Sequence, residues 1–181
     1  NLGYTNLLHR NDGHGAWKQV AEEVRLDHPS ASVGALPADY DNDGDLDLFV
    51  INVANQANAL YRNDAGPHFS DVTGLAGVGG GDRTSTGAAW ADFDLDGDVD
   101  LVVANNGVAN VFENDGTGGF ADVSTRAFHG GVLTDESRTA GVAVADYDSD
   151  GDIDVFIAGA EGQSLLLRND CAADAHWLQL K

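Results

Sequence analysis

Short apolar runs recur along this chain and are separated by Gly-rich or Asn-Asp turns. Runs such as Leu46 to Ile51, Val99 to Val103 and Ile153 to Ile157 are rich in β-branched residues and Phe, the signature of a buried strand. Each is preceded by a run of small apolar residues, for example Gly-Val-Ala-Val-Ala at 141–145. Each is followed by a third run (Leu60 and Tyr61 in one case) and a fourth (Phe69 and Val72). Nowhere do apolar residues keep the three-to-four-residue spacing of a long amphipathic helix. The pattern predicts an all-β protein built from four short strands at a time.

The runs repeat. Gly34 to Asn52 (GALPADYDNDGDLDLFVIN), Gly87 to Asn105 (GAAWADFDLDGDVDLVVAN) and Gly141 to Gly159 (GVAVADYDSDGDIDVFIAG) superpose without gaps, and their first aspartates are 53 and 54 residues apart. A second element recurs as NALYRND at 58–64, ANVFEND at 109–115 and SLLLRND at 164–170, and once more at the front as NLLHRND at 6–12. An aromatic follows the Asn-Asp pair at one fixed distance in three copies, Trp17, Phe69 and Phe120. Four strands in about 50 residues is the arithmetic of a β-propeller blade. The predicted organisation is one continuous propeller domain: the outer half of a preceding blade with its connecting loop over 1–32, then three full blades over 33–85, 86–138 and 139–181. Each full blade is expected to have four antiparallel strands. Pro37 would damage a central strand, so the first strand of each blade is expected to be an edge lining the channel. Trp90 occupies the equivalent place and reads as a packing residue.

Between the first and second strand of every blade stands D-x-D-x-D-G-D-x-D. The copies are Asp39, Asp41, Asp43, Asp45 and Asp47 around Gly44; Asp92, Asp94, Asp96, Asp98 and Asp100 around Gly97; and Asp146, Asp148, Asp150, Asp152 and Asp154 around Gly151. Fifteen of the 30 acidic residues lie in these loops, so the acids are concentrated rather than spread for solubility. Five carboxylates in nine residues repel one another unless a hard cation sits among them. Calcium accepts six to eight oxygens in a pliable shell, which side chains at positions 1, 3, 5 and 9 and the carbonyl of position 7 can supply at about 2.3–2.6 Å. The glycine at position 6 permits the positive φ that turns the chain around the ion. The apolar residue at position 8 (Leu46, Val99, Ile153) is expected to point away and pin the loop to the core. Three calcium ions are predicted, one per loop. Magnesium is the weaker match because it keeps its waters and takes fewer protein ligands. An EF-hand needs a Glu at position 12 and flanking helices. Position 12 here is Val50, Val103 or Ile157, inside a strand, so that reading fails.

Charge changes the picture further. Thirty Asp and Glu stand against nine Lys and Arg, a formal net charge of −21, which excludes nucleic acid and anionic membrane surfaces as partners. Hydrophobic residues at 43% support a folded core, and 23 Gly against 3 Pro suits many tight turns. The single cysteine, Cys171, cannot form an internal disulfide. No apolar run is long enough to span a membrane and no signal peptide opens the chain. With no Met in the sequence, a chain opening at Asn1 reads as a processed or excised piece.

The D-x-D-x-D-G-x-x-D loop between two strands, with Gly-Val-Ala-x-Ala-Asp before it and Leu-Tyr-Arg-Asn-Asp after it, resembles the FG-GAP/VCBS repeat. That family builds the propeller of integrin α subunits and of many bacterial secreted proteins. The resemblance covers essentially the whole chain and implies a calcium loop that stiffens each blade. The tail Ala175 to Leu180 resembles the opening of the ASPIC/UnbV module, which follows such repeats in the cartilage acidic protein family.

The remaining residues carry no catalytic arrangement. The six histidines (His9, His14, His28, His68, His129, His176) share no metal-ligand spacing, and no G-x-S-x-G, Walker or G-x-G-x-x-G pattern occurs. Gly77 to Asp82 is not repeated and reads as an inter-blade loop. The least repetitive segments, Ala21 to Ser32, Gly74 to Ser85 and Thr125 to Arg138, read equally as solubilising loops and as the place on a rigid scaffold where binding resides, and they single out no binding residue. The sequence reads as a non-enzymatic, extracellular or cell-surface calcium-binding propeller acting in adhesion, recognition or structural assembly. Its partner is an unspecified protein or glycan, and self-association through exposed blade faces is a further expectation. The alternative is the non-catalytic propeller part of a larger secreted enzyme.

Overall fold

A computed structural model describes residues 5–127 and 138–171. The chain is all-β, as the run pattern predicts. A two-stranded ribbon opens it, β1 (His9–Asn11) with β2 (Trp17–Gln19). Two four-stranded antiparallel sheets follow, each a meander in chain order. The first is β3 (Ser32–Ala38), β4 (Asp47–Asn52), β5 (Ala59–Asn63) and β6 (Phe69–Asp71). The second is β7 (Ser85–Ala91), β8 (Asp100–Asn105), β9 (Asn110–Asn114) and β10 (Phe120–Asp122). The last sheet holds β11 (Arg138–Ala145), β12 (Asp154–Glu161) and β13 (Leu165–Leu167). The fourth strand expected for it falls in the segment after Cys171, outside the described residues. So do the ASPIC/UnbV-like tail, His129, His176 and most of the loop from Thr125 to Arg138.

Pro37 sits on β3, an edge strand, where its missing N–H breaks no central ladder. The inner strands of neighbouring blades run close together. A Cβ on Gly87 of β7 would lie 3.0 Å from Gly141 Cα and 3.1 Å from Val142 N of β11, so only glycine fits there.

The core lies between sheets rather than within one. Tyr40, Phe49 and Leu60 on one face of the first blade pack against Leu101, Val103 and Phe112 of the second. Trp90 joins this layer as a packing residue, edge-on to Phe49 at 6.0 Å. Val102, Ala104 and Val111 of the second blade pack likewise against Val155 and Ile157 of the third. A smaller layer sets Val50 and Tyr61 of the first blade against Leu26, with Leu8 and Val24 beside them. The second strands β4 and β8 are therefore apolar on both faces, because each face meets a different packing layer.

One expectation fails at the front of the chain. Leu46 is 61% exposed instead of pinned to the core. Its counterpart Val99 packs into the layer shared with the preceding blade, and Ile153 lines the cavity between the second and third blades. The position-8 side chain thus needs the inner strands of the blade before it, and the two-stranded ribbon β1–β2 offers none.

Two single-turn helices, α1 (Thr73–Ala76) and α2 (Ser124–Ala127), close the first two full blades. Asp71 Oδ1 accepts from Thr73 N at 3.0 Å, and Thr73 Oγ1 accepts from Leu60 N at 2.9 Å. Asp122 and Ser124 repeat the device, with Ser124 Oγ accepting from Val111 N at 3.0 Å. The signal was present in the sequence as Asp-Val-Thr and Asp-Val-Ser. It places the outer strand on the third strand in each blade.

Candidate metal centres

Each Asp loop is a tight turn wound around its own carboxylates. The sixth-position glycines have φ of 93° at Gly44, 99° at Gly97 and 102° at Gly151, as the sequence requires. Their N–H groups donate to the first aspartate: Gly44 to Asp39 Oδ2 at 3.0 Å, Gly97 to Asp92 Oδ2 at 3.1 Å and Gly151 to Asp146 Oδ2 at 3.2 Å. The seventh-position N–H donates to the fifth-position carboxylate, from Asp45 to Asp43, Asp98 to Asp96 and Asp152 to Asp150, at 2.9, 2.9 and 3.1 Å.

The fourth position is also left-handed, with φ of 57° at Asn42, 62° at Leu95 and 65° at Ser149. Asn tolerates this region; a branched apolar side chain does not. Replacing the exposed Leu95 with Asn, the residue of the first loop, is expected to stabilise the protein by about 0.5–1 kcal/mol, read as a shift in the urea midpoint. An unchanged or lower midpoint would contradict the strain.

The turns gather acids. Carboxylate oxygens of Asp39, Asp41 and Asp43 lie within 4.8 Å of one another, and so do those of Asp92, Asp94 and Asp96. In the third loop the group is Asp146, Asp148 and Asp154. Asp39 Oδ1 and Asp41 Oδ1 are buried with no hydrogen-bond partner. A buried carboxylate oxygen without a donor is costly. Hard oxygen donors in triplicate, with orphaned atoms among them, fit a hard divalent cation. Asp41 and Asp94 are held above the usual carboxylate range, first by burial and then by the next aspartate of the loop.

The ninth aspartates do something the sequence reading did not anticipate. Asp47, Asp100 and Asp154 are all buried, at 1, 2 and 2% exposure. Asp47 Oδ2 accepts from Tyr40 N at 3.2 Å and its Oδ1 from Asn63 N at 2.8 Å. Asp100 accepts from Phe93 N and Asn114 N, both at 2.8 Å. Asp154 accepts from Tyr147 N at 3.0 Å and Asn169 N at 2.8 Å. Each ties the loop to the third strand of its own blade, and burial raises Asp47 and Asp100 to about 6.

The Asn of the second and third Arg/Glu-Asn-Asp elements carries the tie onward. Asn114 Nδ2 donates to Tyr40 O at 2.7 Å, and Asn169 Nδ2 donates to Phe93 O at 2.6 Å. The acceptors are the second residues of the preceding loops. Hydrogen bonds therefore run without a break from Asp47 through Tyr40, Asn114, Asp100, Phe93 and Asn169 to Asp154. The seventh residue adds a side-chain link, with Asn42 Nδ2 donating to Asp98 Oδ1 at 2.5 Å.

The family description of the FG-GAP-like repeat matches three overlapping stretches, residues 3–50, 39–103 and 92–157. This chain belongs to the FG-GAP-like repeat family. The second and third matches start on the first aspartate of a loop and run into the second strand of the next blade, so the family unit spans a blade junction. Cartilage acidic protein 1 of Xenopus tropicalis is 33% identical over 141 residues, 76% of this chain and 21% of that protein. The Mus musculus and Homo sapiens proteins of the same name are each 30% identical over 145 residues, 78% of this chain. The chain thus spans about a fifth of the length of these relatives. As an FG-GAP-like module it presents blade sheets and three metal-capable loops, and none of its described helices is long and apolar enough to cross a membrane.

Proposed function

We propose that this FG-GAP-like module binds three calcium ions, one per Asp loop, and serves as a non-catalytic, metal-stiffened scaffold in an extracellular protein of adhesion, recognition or matrix assembly. The observation that carries the reading is the thrice-repeated acidic turn, in the first copy of which Asp39 Oδ1 and Asp41 Oδ1 are buried with no protein donor. Bound calcium would neutralise the carboxylates of positions 1, 3 and 5 and the ninth residue, with the carbonyls of Asp45, Asp98 and Asp152 completing the shell. The residues themselves do the rest: the glycine turns hold the oxygens convergent, and the ninth aspartates fasten each loop to its blade. An acidic loop committed to a cation is a poor proton donor, which disfavours general acid catalysis by these residues. The relatives' name places them in cartilage, which agrees with an extracellular setting where calcium is abundant.

The partner surface we assign is the face of the third sheet that carries Tyr147, Phe156 and Leu166. Tyr147, Phe156 and Leu166 are 53, 44 and 48% exposed, whereas their counterparts Tyr40, Phe49 and Leu60 are buried by the next blade. The chemistry that covers this face elsewhere in the molecule is another blade, in the same chain or in a second copy.

Equilibrium dialysis against calcium should return three ions per chain, and Asp43→Ala or Asp96→Ala should each remove one. Retention of no calcium at millimolar levels would overturn the assignment.

A further inference from the structure

We propose that the three loops are unequal and that the second, Asp92 to Asp100, takes up calcium most tightly, because Glu113 flanks it where Arg62 and Arg168 flank the other two. The inference rests on the calcium reading above and ranks its sites.

The flanking position is fixed by register. Tyr61 pairs with Leu48, Phe112 with Leu101 and Leu167 with Val155, so Arg62, Glu113 and Arg168 stand at one equivalent place beside their loops. In the first blade Arg62 Nε lies 4.0 Å from Asp41 Oδ2 and 2.8 Å from Asp64 Oδ1. In the third, Arg168 pairs with Asp170 at 2.8 Å. In the second, Glu113 and Asp94 line the same cavity, of about 380 Å³, between the second and third blades.

The other charges nearby do not cancel the difference. Arg126 of α2 forms an ion pair with Glu113 and lines the same cavity, as does Arg168, which brings its own partner Asp170 with it. Asp115, the counterpart of Asp64 and Asp170, spends its Oδ1 within its own turn, on the Thr117 and Gly119 N–H groups. The flank of the first loop is therefore Arg62 with Asp64, and that of the third is Arg168 with Asp170, each neutral. The flank of the second is Glu113, Asp115 and Arg126 together with the neutral Arg168–Asp170 pair across the cavity, one net negative charge.

A divalent cation feels each neighbouring unit charge twice over, and of the three flanks only the second attracts it. At partly exposed sites one unit of flank charge is worth about fivefold to tenfold in affinity.

Calorimetric titration of calcium chloride into the calcium-stripped chain, at physiological ionic strength, tests the ranking. In the unmodified protein one ion is expected to bind about fivefold to tenfold more tightly than the rest. Asp94→Asn should remove that step. Glu113→Arg, which installs the residue of the other two blades, should reduce it to the weaker class without changing the number of ions bound. Arg62→Glu should create a second tight step. Uniform affinities in the unmodified protein, or a tight step that survives Glu113→Arg in a protein with an unchanged circular dichroism spectrum, would overturn the ranking while leaving the calcium reading intact. No calcium uptake by any variant would instead overturn the calcium reading itself.

Discussion

Calcium-stripped protein is expected to melt about 20 °C or more below the calcium-loaded form. A ligand present at 100 times its dissociation constant adds about 2.7 kcal/mol per site, so three sites at millimolar calcium and roughly 10 µM affinity contribute about 8 kcal/mol. That is comparable to the whole stability of an ordinary domain, about 5–15 kcal/mol. Each kcal/mol moves the melting temperature of a chain this long by about 2–4 °C. Metal-free loops also carry a distinctive pH signature. Burial raises the carboxyls of Asp47 and Asp100 to about 6 from an ordinary value of 3.8, so in that range the folded chain holds more protons than the unfolded one. Stability of the stripped protein should therefore fall as pH rises from about 4 through about 6. In calcium the trend should invert, because protons compete with the ion. Thermal melts by circular dichroism in calcium and in chelator, at pH 5 and pH 7.5, read both effects. Coincident melts in the two media would show that the loops do not hold the fold together.

Asn114→Ala should cost about 3–4 kcal/mol, far more than the same change at Asn63. Asn114 is 3% exposed, and its side chain donates to Tyr40 O at 2.7 Å and Val99 O at 3.1 Å while accepting from Gly116 N at 3.1 Å. Truncation leaves two buried carbonyls and one N–H without a partner, at about 1–3 kcal/mol each less what water recovers. Asn63 Nδ2 reaches only Leu46 O, at 3.3 Å in an exposed setting, so about 1 kcal/mol is expected there. Urea unfolding of the two variants in calcium compares them directly. Equal losses would mean that the stitch from the second blade to the first loop contributes nothing.

Much of the fold is legible because its repeat is short and its turns need particular residues. Gly44, Gly97 and Gly151 announce a left-handed turn wherever they occur, and Pro37 announces an edge. Leu46 and Val99 occupy the same place in their repeats, yet one is exposed and the other packed. No local pattern distinguishes them, since the difference is the blade that stands before each.

The sequence by itself determined the all-β class, the blade period, the three acidic turns and the conformation of the glycines within them. These are local matters, fixed by residues a few positions apart. Tertiary structure decided what links one turn to the next. That Asp100 would be buried on two backbone N–H groups, and that Asn114 would reach the Tyr40 carbonyl 74 residues away, follows from how blades lean on one another. Hydrogen bonds between segments distant in sequence leave no periodic trace along the chain. Their donors and acceptors meet only after the apolar faces of neighbouring sheets have closed around them.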